Sequence, residues 1–167
     1  MAVLRPSKLR VMVDANVLIA GVGWPRFPYE VLRHIVAGDV QLVLSAFIVE
    51  EARTHITRLF PDLLDLFDEF LEASSYQEVA SPSQEAVALQ QGLVRDSADI
   101  PVALSAIEAQ IDYLITQDKD FTDPNERLHQ QLNVILPGTF LREHMGWTSE
   151  QLETIRNRTW KDLAESK

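Results

Sequence analysis

The sequence predicts an α/β protein: a three-layer α/β/α sandwich with a central, mostly parallel sheet. Three observations lead there. Short runs rich in Val, Leu and Ile alternate with longer amphipathic stretches. The elements follow the order β-α-α-β-α-α-(β)-α-α-β-β-α, and strands joined through helices pair in parallel with helices on both faces. Several apolar runs also stop at a polar side chain, namely Asp14, Ser45 and Thr116. Strand ends of a parallel sheet share one rim, where such sheets bind ligands.

Taken in order, residues 1–8 form a lead-in, and Leu9 to Val13 (LRVMV) is a β-former-rich strand ending at Asp14. Asn16 is placed to cap a short helix over Val17 to Val22, because its side chain accepts from free amides at a helix start. The Gly21–Gly23 and Pro25–Pro28 region breaks that helix. Tyr29 to Ala37 is amphipathic, with Val31, Leu32, Ile35 and Val36 on one side, and Gly38 ends it. Val40 to Leu44 is a second strand closed by Ser45. Phe47 to Phe60 and Pro61 to about Ala73 form an αα-hairpin, its apolar face made by Leu63, Leu64, Leu66, Phe67, Phe70 and Leu71. A short strand falls around Tyr76 to Ala80, and Ser81-Pro82-Ser83 turns into a helix over Glu85 to Val94.

The stretch from Asp96 to Phe121 (DSADIPVALSAIEAQIDYLITQDKDF) is a helix followed by a strand. Pro101 suits a first helical turn, where its missing N–H costs nothing. Tyr113-Leu114-Ile115 has the length and type of a buried strand and stops at Thr116. Asp123-Pro124-Asn125 is a turn, and Asn133 to Leu136 is the last strand, closed by Pro137-Gly138. Thr139 to Met145 is helical and Gly146 breaks it. Thr148-Ser149-Glu150-Gln151 is a capping box for a terminal helix running to Lys167. The division expected is a main domain over 1–146 with 147–167 as its C-terminal helical extension.

At 167 residues the chain fits one domain, and its 46% hydrophobic and 24% charged content is that of an ordinary globular protein. Without cysteine it has neither disulfides nor thiolate metal sites. A metal would be held by oxygen or imidazole, and oxygen favours Mg²⁺ or Mn²⁺. The net charge of −10 argues against non-specific nucleic-acid binding, which draws on phosphate neutralisation, but leaves room for a local basic track. Arg5, Lys8 and Arg10 precede no long apolar segment, so neither a signal peptide nor a membrane span is expected, and the cytoplasm is the expected location.

Four elements send acids to the expected rim. Asp14 ends the first strand. In the helix after the second strand, Ile48, Ala52, Ile56 and Leu59 make the apolar stripe. At about 100° per residue, Glu51 lies at the stripe's edge and Glu50 points away. Asp99 starts the Ala-rich helix, as N-cap or first-turn residue, a role Asp also fills for structural reasons alone. Asp96 lies in the preceding loop. Asp118 follows the strand end at Thr116, while Asp120 reads as a solvated turn. Four carboxylates held together repel, and a bound divalent cation is the usual resolution. Such an ion activates water and stabilises the charge that develops in phosphodiester cleavage. Arg53, Arg58, Arg95 and Lys119 lie near the rim in sequence, as phosphate contacts or as ordinary surface charges. His34, His55, His129 and His144 share no spacing and read as surface or interface residues.

VMVDANVLIAG, SAFIVEEARTHI, DSADIPVALSAI and YLITQDKDF resemble the four motifs of PIN domains, in the style of the bacterial VapC-like toxin branch. The resemblance spans roughly Val11 to Leu141. It implies a Mg²⁺- or Mn²⁺-dependent ribonuclease, often dimeric and often held inactive by a small antitoxin protein. By motif, Asp14, Glu51, Asp99 and Asp118 are the catalytic and metal-binding acids. Asn16, Ser45 and Thr116 match supporting polar positions, and Asp96 an extra acid. A non-cleaving PIN-fold module that binds RNA or protein is the alternative. A phosphohydrolase using Asp14 as nucleophile is disfavoured, because Asn16 cannot protonate a leaving group.

Overall fold

The computed structural model describes residues 8–165. Residues 1–7 of the expected lead-in and the last two of the expected terminal helix lie outside the described residues.

Five strands, β1 (Arg10–Val13), β2 (Gln41–Ser45), β3 (Gln77–Val79), β4 (Tyr113–Ile115) and β5 (Val134–Ile135), form one sheet in the order β3-β2-β1-β4-β5. Every pairing is parallel. The three central strands are apolar throughout their inner residues, and Val11, Met12, Val13, Leu42, Val43, Leu44, Leu114 and Ile115 are completely buried. Continuous apolar runs of this kind mark strands covered on both faces. The order in which strands are added reverses between β1 and β4. Right-handed crossovers therefore send the connections on the two sides of this gap to opposite faces. Such a switch point is where the strand C-termini open a crevice.

Between β1 and β2 lie α1 (Ala15–Gly23) and α2 (Phe27–Val36), and between β2 and β3 lie α3 (Ala46–Leu59) and α4 (Leu64–Ser74). A 3₁₀ turn over Pro61–Leu63 joins the last two into the expected helical hairpin. Of its expected apolar face, Phe67, Phe70 and Leu71 are buried, whereas Leu66 is about half exposed at 49%. From β3 to β4 the chain runs through α5 (Gln84–Leu89) and α6 (Ile100–Glu108).

Three local expectations are corrected. α1 starts at Ala15 and its cap is Asp14, whose side chain accepts from the Val17 amide, so Asn16 lies inside the helix and is exposed. The helix expected to reach Val94 stops at Leu89, because Gly92 takes a left-handed conformation (φ 87°) and Arg127 binds the Gln90 side chain and the Gln91 carbonyl. The segment between β4 and β5 holds two short helices, α7 (Lys119–Thr122) and α8 (Glu126–His129), where the sequence suggested only a turn. Each is capped by a side chain from the acidic or amide residue before it, Asp118 and Asn125.

After β5 come α9 (Pro137–His144), α10 (Ser149–Ile155) and α11 (Trp160–Glu165), so the terminal helix is two helices with a break. The capping box forms as read: Thr148 Oγ1 accepts from the Gln151 amide at 3.1 Å and Gln151 Oε1 from the Thr148 amide at 2.9 Å. Leu152 and Ile155 are buried. The segment after them is pinned by Arg158, which pairs with Glu30 at 2.8 Å and donates to the Pro25 carbonyl at 2.7 Å. The Trp160 indole donates to the Gly23 carbonyl, and that of Trp147 to His34. The four histidines are all half-buried rather than exposed, and His144 packs against Tyr113 and Phe140. Among the described residues no helix is long and apolar enough to cross a membrane.

Glu30 is buried, so removing its principal partner leaves a poorly compensated charge in the interior. Arg158→Ala is therefore expected to destabilise the protein by about 3 kcal/mol. Urea unfolding should show this as a lower midpoint at an unchanged slope; an unchanged midpoint would mean that the extension is not anchored there.

Candidate functional site

The parallel register builds the site. Met12 pairs with Leu114 and Val13 with Ile115, so the next residues, Asp14 and Thr116, sit side by side at the C-terminal rim. Both are buried. Asp14 accepts through Oδ1 from the Val17 amide at 2.9 Å, and through Oδ2 from the Thr116 hydroxyl. The same Thr116 oxygen accepts from the Asp118 amide at 3.0 Å. Asp118 in turn caps α7, its Oδ1 accepting from the Asp120 amide at 2.9 Å. One chain of hydrogen bonds thus runs Asp14–Thr116–Asp118–Asp120, from β1 across β4 to the start of α7.

Ser45, at the end of β2, is completely buried, and its hydroxyl accepts from the Ile48 amide as the cap of α3. Its role is to fix the helix that carries Glu51. Glu51 is half-buried while Glu50 faces solvent, as expected from Glu51 lying at the edge of the α3 stripe and Glu50 pointing away from it. Burial pushes the Glu51 carboxyl above its ordinary value, and His55 beside it opposes the shift.

Asp99 ends a 3₁₀ turn over Ser97–Asp99, immediately before α6. Its backbone is already helical and its side chain makes no cap, so the structural role open to it in the sequence is not the one it plays. The cap of that turn is Asp96, whose Oδ1 accepts from the Ala98 amide at 2.9 Å. The Asp99 carboxylate is half-buried and, among the described residues, takes no hydrogen bond or ion pair. Burial raises its pKa to about 7, helped by the negative charges of Asp118, Asp96, Asp120 and Glu51. Asp14 is pushed up to about 6, mainly by burial; Thr116 and the Val17 amide pull it down, and Asp118 and Glu51 push it up. The carboxylates from β1, α3, the turn before α6 and the β4–α7 junction therefore feel one another's charge.

Asp120 reads from sequence as a solvated residue, and the structure places it on the rim. It is only partly exposed, and it offers a carboxylate oxygen within 4.8 Å of oxygens on Asp96 and Asp99. The Asp118 side chain is the cause: by accepting from the Asp120 amide it folds the chain back two residues on. The D-x-D spacing was the available signal. Arg95 reaches Asp120 at 3.2 Å and Asp123 at 2.5 Å, neutralising the outer acids, and among the described residues no cation pairs with Asp14 or Asp99. Arg53 is paired with Asp68 instead.

These shifts fix the sign of a pH dependence. Asp14 and Asp99 bind protons more tightly in the folded state than in the unfolded chain, whose values lie near 3.8. Their contribution favours the fold below about pH 4 and is lost as pH rises through about 6 to 7. With EDTA present, the melting temperature of Asp99→Asn should fall less over that interval than that of the unaltered protein. Parallel melting curves would contradict the burial of this carboxylate.

The PIN domain sequence profile matches residues 10–120. Among solved structures, PAE2754 from Pyrobaculum aerophilum is similar with a TM-score of 0.53 at 18% identity, covering 83% of this chain and 98% of that one. VapBC2 from Rickettsia felis, crystallised bound to a DNA fragment from their promoter, gives 0.54 at 14% identity, covering 77% and 98%. At such identities the likeness is one of fold. A search of curated proteins finds no significant match. The profile runs from β1 into α7 and takes in every rim carboxylate from Asp14 to Asp120, and the chain belongs to the PIN domain family.

Proposed function

We propose that this PIN domain is a metal-dependent endoribonuclease and the toxin of a type II toxin–antitoxin pair, of the VapC-like branch. The observation that carries the reading is the gathering of carboxylates at the switch point, with Asp14 and Asp99 raised to about 6 and about 7 and, among the described residues, no cation paired with them. Carboxylates shifted in this way by burial and by one another cluster at functional sites.

The donor set fits a hard divalent cation. It is all oxygen, and Asp96, Asp99 and Asp120 already bring three carboxylates within reach of one another. Of the four acids proposed to hold Mg²⁺ or Mn²⁺, Asp14, Glu51, Asp99 and Asp118, only Asp99 belongs to that close group, and Asp96 and Asp120 are added by their position in it. When bound, the ion supplies charge neutralisation, a more acidic water and stabilisation of negative charge on the phosphate. The chain's own contribution is orientation. Thr116 and the Val17 amide hold both oxygens of Asp14, so the carboxylate does not need to reorganise. Glu51, raised by burial, either joins the metal or orients the attacking water. The likeness to VapBC2 supports an antitoxin as partner; a homodimer and a cytoplasmic location belong to the same reading.

Asp14→Asn or Asp118→Asn is expected to reduce Mn²⁺-dependent cleavage of pooled RNA by about 10³-fold while circular dichroism stays unchanged. Undiminished cleavage by either variant would sink the assignment. Tight Mn²⁺ binding without any RNA cleavage would favour a non-cleaving module that binds RNA or protein, the alternative that the net charge of −10 motivates.

A further inference from the structure

We propose that a groove beside the acid rim, running from Gln117 past Phe27 to Arg26, Arg142 and Arg156, holds the backbone of single-stranded RNA as it leaves the acids. The inference rests on the ribonuclease reading above and names the surface that would carry its substrate.

Position is the first argument. Gln117 is exposed and lies between Thr116 and Asp118, so the groove begins one residue from the acids. Two cavities, of about 370 and 390 Å³, are both lined by Gln117, Phe27 and Arg156. They therefore adjoin along these three side chains and make one path, each half within the range of ligand sites, ~300–1,000 Å³. Arg142 lines the first and Arg26 the second, which also reaches Trp24.

Charge is the second. The chain carries −10, yet this path gathers three arginines. Among the described residues, Arg142 has no carboxylate partner, and Arg26 donates only to the Arg158 carbonyl at 3.2 Å. Arg156 pairs with Glu153 at 3.0 Å, but both are exposed, and such pairs yield readily to a stronger anion. Guanidinium groups match phosphate oxygens with two parallel N–H donors.

The third is the interleaving of aromatic faces. The Arg156 guanidinium lies 5.4 Å from the Phe27 ring centre, and Trp24 is 39% exposed beside the second cavity. Single-stranded nucleic acid is held by this combination of phosphate contacts and stacking. An acidic protein segment would satisfy the arginines, but it brings no row of bases to stack beside Phe27 and Trp24.

The test uses the full chain carrying Asp14→Asn, so that nothing is cut, and a fluorescein-labelled 12-nucleotide single-stranded RNA. Anisotropy is read between 50 and 200 mM KCl with Mn²⁺ present. Adding Arg26→Gln and Arg142→Gln should weaken binding about tenfold and lower the salt slope by about 0.7 for each phosphate no longer neutralised. The charge-matched control Lys8→Gln with Lys161→Gln, both exposed and Lys8 at the opposite end of β1 from the rim, should stay within about twofold. In the cleaving protein the same arginine pair should raise KM and leave kcat nearly unchanged. An equal weakening in the control, an unchanged Kd with an unchanged KM, or selective weakening of a poly-glutamate peptide in place of RNA would overturn the groove. If the ribonuclease reading alone fails, RNA binding remains arginine-dependent without cleavage; if the groove alone fails, cleavage persists with KM indifferent to the arginines. A thermal midpoint and Mn²⁺ titration matching those of Asp14→Asn alone keep misfolding out of the result.

Discussion

The Thr116 hydroxyl is the point on which this rim turns. It donates to Asp14 and accepts from the Asp118 amide, so one oxygen atom ties the end of β1 to the turn after β4. The hydroxyl can do both because it is donor and acceptor at once. The parallel register puts it there, since Val13 and Ile115 are partners and their successors must lie side by side. The buried apolar strands behind them stabilise that register by the area they remove from water. A core that has no chemistry of its own therefore carries charged groups to a fixed place.

Holding them there is costly. Asp14 is buried, Asp99 half-buried, and each is destabilised as an anion by desolvation before any neighbour acts. The chain relieves only part of the repulsion. Arg95 reaches outward to Asp120 and Asp123, while among the described residues no cation pairs with the inner acids Asp14 and Asp99. Asp14 is held by hydrogen-bond donors that carry no charge. Neutral donors orient a carboxylate and leave its charge in place, whereas an arginine would cancel the charge. Desolvated and repelled by their neighbours, the inner acids are groups whose charged form a cation from solution would stabilise.

The residues after Gly146 are anchored on α2. Leu152 and Ile155 bury their side chains, the Glu30–Arg158 pair ties the break between α10 and α11 to α2, and Trp147 donates to His34. Arg156, between these anchors, lies against Phe27. We take 147–167 as an extension of the main domain, because Leu152 packs into the core of that domain and Trp147 packs against it.

Much of this was legible from local pattern. Apolar runs of three to five residues ending in a polar side chain announce a buried strand and its rim, and they located Asp14, Ser45 and Thr116. Helical periodicity separated Glu51 from Glu50, and the capping box at Thr148 needed only four residues to be read. These features depend on neighbours in the chain, and the chain states its neighbours. Other features depend on who meets whom. That Asp14 rather than Asn16 caps α1 follows from where the strand leaves the carboxylate. Asp120 reaches the rim because an Asp118 hydrogen bond bends the backbone, and α5 ends early because Arg127, far along the chain, captures its exit. Glu30 and Arg158 are 128 residues apart, a pairing that no local period encodes. Periodicity reports which face of an element is buried; the partner it is buried against is chosen only when the whole chain closes on itself.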